Sequence, residues 1–152
     1  MKGVLRSLLR FADRASPPAT AYAHCDIPCG IYDPKPAQIA ADTVIKMVQL
    51  ITDLGAPGSD AMAAKAHTSQ VARYTLVKEE HAQICKKELL ILWSDYFKPE
   101  HLSTFPDLHD TFWKAAKLCS RNKQNVDMQA AQELKAATDH IAEMFRKTKQ
   151  PA

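Results

Sequence analysis

From Ser59 to Pro99 apolar residues recur at helical spacing, at Met62, Ala66, Val71, Tyr74, Val77, Ile84, Leu89, Leu92 and Tyr96. Only a helix gathers such positions on one face, so this stretch predicts one long amphipathic helix, with a break near its start, capped by Ser59 and stopped by Pro99. The same period marks three more segments. Asp33-Pro34-Lys35-Pro36 opens a helix over about 36 to 54, with Ala37, Ile39, Ala41, Val44, Val48, Ile51 and Leu54 on its apolar face and a turn at Gly55, Pro57 and Gly58. A third helix begins around Thr104 to Pro106, carries Leu108, Phe112, Ala115 and Cys119, and closes in Ser120 to Asn125, a polar run read as a loop. The fourth spans about 127 to 147 with Ala131, Leu134, Ala137, Ile141 and Phe145, and ends on Arg146, Lys147 and Lys149, charges suited to a helix C-terminus. Four amphipathic helices joined by short turns pack most simply as an antiparallel up-and-down four-helix bundle. A chain of 152 residues with only four glycines suits one such all-α domain.

Chemistry is densest before the helices begin. His24-Cys25-Asp26-Ile27-Pro28-Cys29-Gly30-Ile31-Tyr32 holds an imidazole and two thiols among its first six residues. It follows Ala21-Tyr22-Ala23, a small-x-small tripeptide of the kind processing proteases cut after. Cleavage there divides the chain into a removable leader, 1–23, and a domain, 24–152, and makes His24 the N-terminus. The leader reads as a pro-segment, because Arg6 and Arg10 interrupt its apolar run; an attached amphipathic helix or a weak export or organelle signal is the alternative. Ser16-Pro17-Pro18 breaks any helix and holds the cut site extended. After the cut, an α-amine, the His24 imidazole, the Cys25 amide nitrogen and the Cys25 and Cys29 thiolates form a mixed nitrogen and sulfur donor set that points toward nickel or copper. Taken alone, a Cys-x-x-x-Cys pair reads as half of a zinc site or a local disulfide.

The full stretch resembles the nickel hook of the nickel-containing superoxide dismutases, His-Cys-Asp-x-x-Cys-Gly-x-Tyr, at every fixed position from His24 to Tyr32. The resemblance continues through Asp33-Pro34 and through Leu92-Trp93-Ser94-Asp95-Tyr96-Phe97-Lys98-Pro99, and it covers the chain from His24 to about Gln150. It implies a superoxide dismutase that cycles Ni(II) and Ni(III) at an N-terminal hook, with one nickel ion per subunit. Cys25, Cys29 and His24 are the implied ligands, the His24 imidazole binding axially in the oxidised state. Tyr32 is implied to gate the open axial face, Asp26 to brace the hook, Tyr96 to lie near it, and Lys98 to contribute a field that draws in superoxide. A homo-oligomer, a hexamer in the family, is also implied. A nickel or copper carrier without turnover is the competing reading of the same donors.

Without the resemblance, Asp26 reads as an ordinary turn cap, Gly30 as a turn glycine and Lys98 as a solvated lysine at a helix end. Pro28 suits a bend, and a cis Ile27-Pro28 bond is one way to make it. Trp93 reads as core or interface packing, and Cys85 and Cys119 as small buried hydrophobes. One departure from the family stands out. Its axial imidazole is braced by a glutamate paired with an arginine, positions that fall here on Ala40 and His81, which makes His81 a candidate partner for His24. His67, His101, His109 and His140 show no ligand spacing. Setting aside Lys2, Arg6, Arg10, Arg14 and Asp13 leaves 16 basic and 16 acidic residues, so the processed chain has no basic balance for nucleic acid. No apolar run of about 18 residues is present to span a membrane. Cysteine usage favours a reducing, cytoplasmic setting over export.

Overall fold

The structure, a computed structural model, describes residues 31–149. Among these, four α-helices and no strands are formed: α1 (Lys35–Asp53), α2 (Ala61–Ile91), α3 (Leu108–Gln124) and α4 (Met128–Thr148). Helix α1 packs against α2 and α4, and α3 packs against the same two, so each helix touches its neighbours in chain order and the last closes on the first. This is the up-and-down bundle that the periodicity predicts.

Helix α1 starts where Asp33 accepts the Lys35 backbone N–H at 2.7 Å and Pro36 lies in the first turn, whose amides need no intrahelical partner. Its buried stripe is Ala37, Ala40, Ala41, Val44 and Val48. Ile39, expected on that face, is 53% exposed, because it stands about 200° round the helix from Ala37. The helix stops at Gly55, whose φ of 61° lies in the left-handed region that favours glycine.

Helix α2 is capped by Asp60 rather than Ser59. The Asp60 carboxylate accepts the N–H groups of Met62 and Ala63, each at 2.9 Å, and so satisfies two of the donors that a helix start leaves over. The helix runs without a break from its first residue. Its irregularity lies at the other end, where Leu92–Tyr96 winds into a π turn closed by the Phe97 N–H on the Leu92 carbonyl, 3.0 Å. Burial on α2 falls on Lys78, Ala82, Cys85 and Leu89, while Met62 and Ile84 of the expected face are exposed.

The Ser120 to Asn125 run is helical as far as Gln124, contrary to the loop expectation. Its polar residues are held from both sides. Asn122 is buried and donates to the carbonyls of Leu118, 3.0 Å, and Ala130, 2.8 Å. The ammonium of Lys78, buried on α2, donates to the carbonyls of Asn122, Lys123 and Asn125 and so caps the C-terminus of α3. Burial pushes the Lys78 ammonium below its ordinary pKa, partly opposed by the neighbouring Glu79. Replacing Lys78 by methionine keeps the apolar stem and leaves those carbonyls without their donor. A loss of about 1–3 kcal/mol is expected, read as a lower denaturant midpoint at unchanged slope. An unchanged midpoint would show that solvent satisfies the carbonyls equally well.

The core is filled by Val44, Val48, Leu89, Leu92, Leu108, Phe112, Leu134, Ile141 and Phe145, with Cys85 and Cys119 buried and free among them. Among the described residues no helix is long and apolar enough to cross a membrane.

Candidate functional site

The π turn sets the direction of the Leu92–Pro99 segment. One extra residue in a helical turn rotates the chain beyond it, and such turns often mark functional places. Here Tyr96 ends the turn, Phe97 leaves it in extended conformation, and Pro99 starts a short 3-10 helix, Pro99–Ser103. The Tyr96 ring thereby meets residues from both ends of the described chain. Tyr32, which precedes α1, lies against it at 5.5 Å between ring centroids. Phe145 of α4 lies at 4.4 Å, Phe97 stands edge-on at 5.1 Å, and the His101 imidazole stacks at 6.0 Å with 21° between planes. The Lys149 ammonium sits over the same ring, 5.1 Å from its centroid, a distance at which a cation is attracted by the π face. The Tyr96 hydroxyl is hydrogen-bonded to the hydroxyl of Thr148.

Lys98, two residues further, is exposed, and its backbone N–H donates to His101 Nδ1 at 3.1 Å. Lys98 also borders a cavity of about 100 Å³ between Trp93, Phe97, Leu102, Leu108 and His109. Trp93 stacks on Phe112 at 5.9 Å and donates through its indole N–H to His109 Nδ1 at 2.8 Å, as expected of a packing residue.

Of the site residues expected from sequence, Tyr32 and Tyr96 are brought into contact, with Lys98 close by in the chain. His24, Cys25, Asp26 and Cys29, and with them Pro28 and Gly30, lie outside the described residues. Ala40 is buried on α1. His81 is partly buried on α2, where its Nδ1 donates to the Val77 carbonyl at 2.9 Å, leaving Nε2 as its acceptor nitrogen in the neutral ring. Sequence reasoning passes over His101, Phe145, Thr148 and Lys149. Three of these sit at the end of α4, about fifty residues from Tyr96 along the chain, where no local pattern ties them to it.

Nickel bound through sulfur needs thiolates. Cys85 does not fit, since its hydrogen bond to Cys119, and then burial, push its thiol far above the usual range and keep it protonated. Among the described residues no cluster of three or more His, Cys, Asp or Glu could hold a metal ion. The set His24, Cys25 and Cys29 does fit in chemistry, with two sulfur donors and adjacent nitrogen donors on one short segment.

A family model described as nickel-containing superoxide dismutase matches residues 19–149. A curated nickel superoxide dismutase of Streptomyces seoulensis is 38% identical over 129 residues, 85% of this chain and 88% of the relative. The native structure of a nickel superoxide dismutase superposes with a TM-score of 0.71 at 33% identity, covering 84% of this chain and all of the other. An apo structure of a nickel superoxide dismutase gives 0.68 at 30% identity, covering 80% of this chain and all of the other. By the family match over most of its length, the relatives' identity and the shared helical bundle, the chain belongs to the nickel-containing superoxide dismutases.

Proposed function

We propose that the nickel of this superoxide dismutase is held by His24, Cys25 and Cys29 after the leader is removed, with Tyr32, Tyr96, Lys98 and Asp26 serving the reaction around it. The observation that carries this reading is the contact between Tyr32 and Tyr96. Tyr32 follows Cys29 by three residues, so the chain itself limits their Cα atoms to a separation of at most about 11 Å.

When bound, nickel supplies a centre that takes up one electron and returns it, given thiolate and amide donors that make its higher oxidation state accessible. The chain supplies the rest. As residue one, His24 would offer an amine, and the adjacent Cys25 amide nitrogen would be a second nitrogen donor for the metal. Cys25 and Cys29 would contribute two thiolates to the donor set. Tyr32 and Tyr96, packed ring against ring, would restrict the approach to the hook and order water there. Lys98, exposed and cationic, raises the local concentration of an anionic substrate. Asp26 braces the hook through hydrogen bonds.

The same reading has the subunits assemble as a homo-oligomer, a hexamer by the resemblance, in the cytoplasm. A processing protease makes the cut after Ala23. Native mass spectrometry of active material tests cleavage and assembly together. Six subunits, each beginning at His24, are expected. Active material that retains Met1 would overturn the cleavage, and a fully active monomer would overturn the assembly.

A further inference from the structure

The hydroxyl of Thr148 has one proton, and its position is fixed by geometry. Thr148 Oγ1 lies 2.7 Å from the Phe145 carbonyl, which can only accept, so the threonine proton is committed there. The same oxygen is hydrogen-bonded to the Tyr96 hydroxyl. With its own proton spent, Thr148 can only accept from Tyr96, and the phenolic proton of Tyr96 must point at Thr148. Toward any other partner the Tyr96 oxygen then has only lone pairs.

This direction bears on the chemistry. Disproportionation joins two superoxide ions with two protons to give one dioxygen and one hydrogen peroxide; the superoxide that is reduced gains one electron and both protons. A phenol that only accepts holds a water by one of its O–H bonds and leaves the other O–H free to donate. We propose that Thr148 is a positioning residue for the reaction, taking the phenolic proton of Tyr96 so that the Tyr96 oxygen orients a proton-donating water toward the reduced substrate. The inference rests on the reading that Tyr96 flanks the hook. It assigns a part to the last turn of α4, which also carries the Lys149 ammonium over the Tyr96 ring.

Two readouts test it. On the metal-free full chain, ultraviolet resonance Raman of the tyrosine Fermi doublet separates a donating phenol from an accepting one, and subtracting the Tyr96→Phe spectrum isolates Tyr96. A donor signature is expected in the wild type and in Thr148→Ser, and its loss in Thr148→Val. On the processed, nickel-loaded protein, Thr148→Val should lower turnover per nickel by about 3- to 10-fold, the scale of one hydrogen bond. Thr148→Ser should restore it, and Thr148→Val should add nothing in a Tyr96→Phe background. A donor signature that survives in Thr148→Val overturns the proposal. So does wild-type turnover in Thr148→Val when Tyr96→Phe is slowed, or a full further loss in the Tyr96→Phe background, which would make Thr148 a structural residue only. Wild-type turnover in Tyr96→Phe itself would instead remove Tyr96 from the surroundings of the hook, and the proposal with it, even where the Raman donor signature is found.

Discussion

Replacing Cys25 or Cys29 by serine is expected to abolish both nickel binding and superoxide turnover. A hydroxyl is a hard donor that stays protonated at neutral pH, so the substitution removes the soft anionic sulfur that favours nickel and the electron donation that lets its higher oxidation state form. The loss should be near complete in either single mutant, because the two sulfurs complete one donor set and neither Cys85 nor Cys119 can stand in. Both of those are buried in the core, and the Cys85 thiol is held protonated against Cys119. Metal analysis of the purified variants checks the first half and superoxide consumption the second. One nickel per subunit with full activity in Cys25→Ser or Cys29→Ser would refute the assignment.

The second large effect is expected from a single added residue. A protein cut one position early, so that it begins at Ala23, retains every side chain of the hook yet turns the His24 amine into a peptide nitrogen and moves the free amine one residue upstream. Turnover should fall by at least about 100-fold, near the upper end of what is lost when a metal's immediate surroundings are disturbed, because here a proposed ligand itself is displaced. Side-by-side assays of proteins beginning at Ala23 and at His24 check it. Equal rates would mean that the amine is not a ligand and that the leader is removed for some other reason.

The helices were legible because burial repeats with the helical period. Ala37, Ala41, Val44 and Val48 on α1, and Leu108, Phe112, Ala115 and Cys119 on α3, are among the positions the pattern singles out and are buried, whereas Ile39 of the same pattern is exposed and Ile51 and Leu54 are only partly buried. Where the pattern misleads, a contact from elsewhere decides the outcome. Ser120 to Gln124 looks like a loop by composition, but Lys78 from α2 caps its carbonyls and Asn122 turns inward, neither of which shows in the run itself. Asp60 displaces Ser59 as cap because its carboxylate reaches two backbone amides. The hook is the opposite case. Its proposed ligands lie close together in the chain, so covalent spacing alone suggests the donor set, whereas the surroundings of Tyr96 join residues 32, 101, 145, 148 and 149 through the fold and leave no motif.

The role proposed for the His24 to Cys29 segment is to hold nickel and turn superoxide over, as opposed to holding the metal as cargo. Pulse radiolysis of the processed, nickel-loaded protein measures this directly, since it generates a known dose of superoxide in microseconds and tracks its disappearance. Superoxide decay in excess of the spontaneous rate is expected, first order in protein, proportional to bound nickel and sustained over many equivalents of substrate. Decay at the spontaneous rate with one nickel bound per subunit would contradict it and leave a nickel carrier in its place.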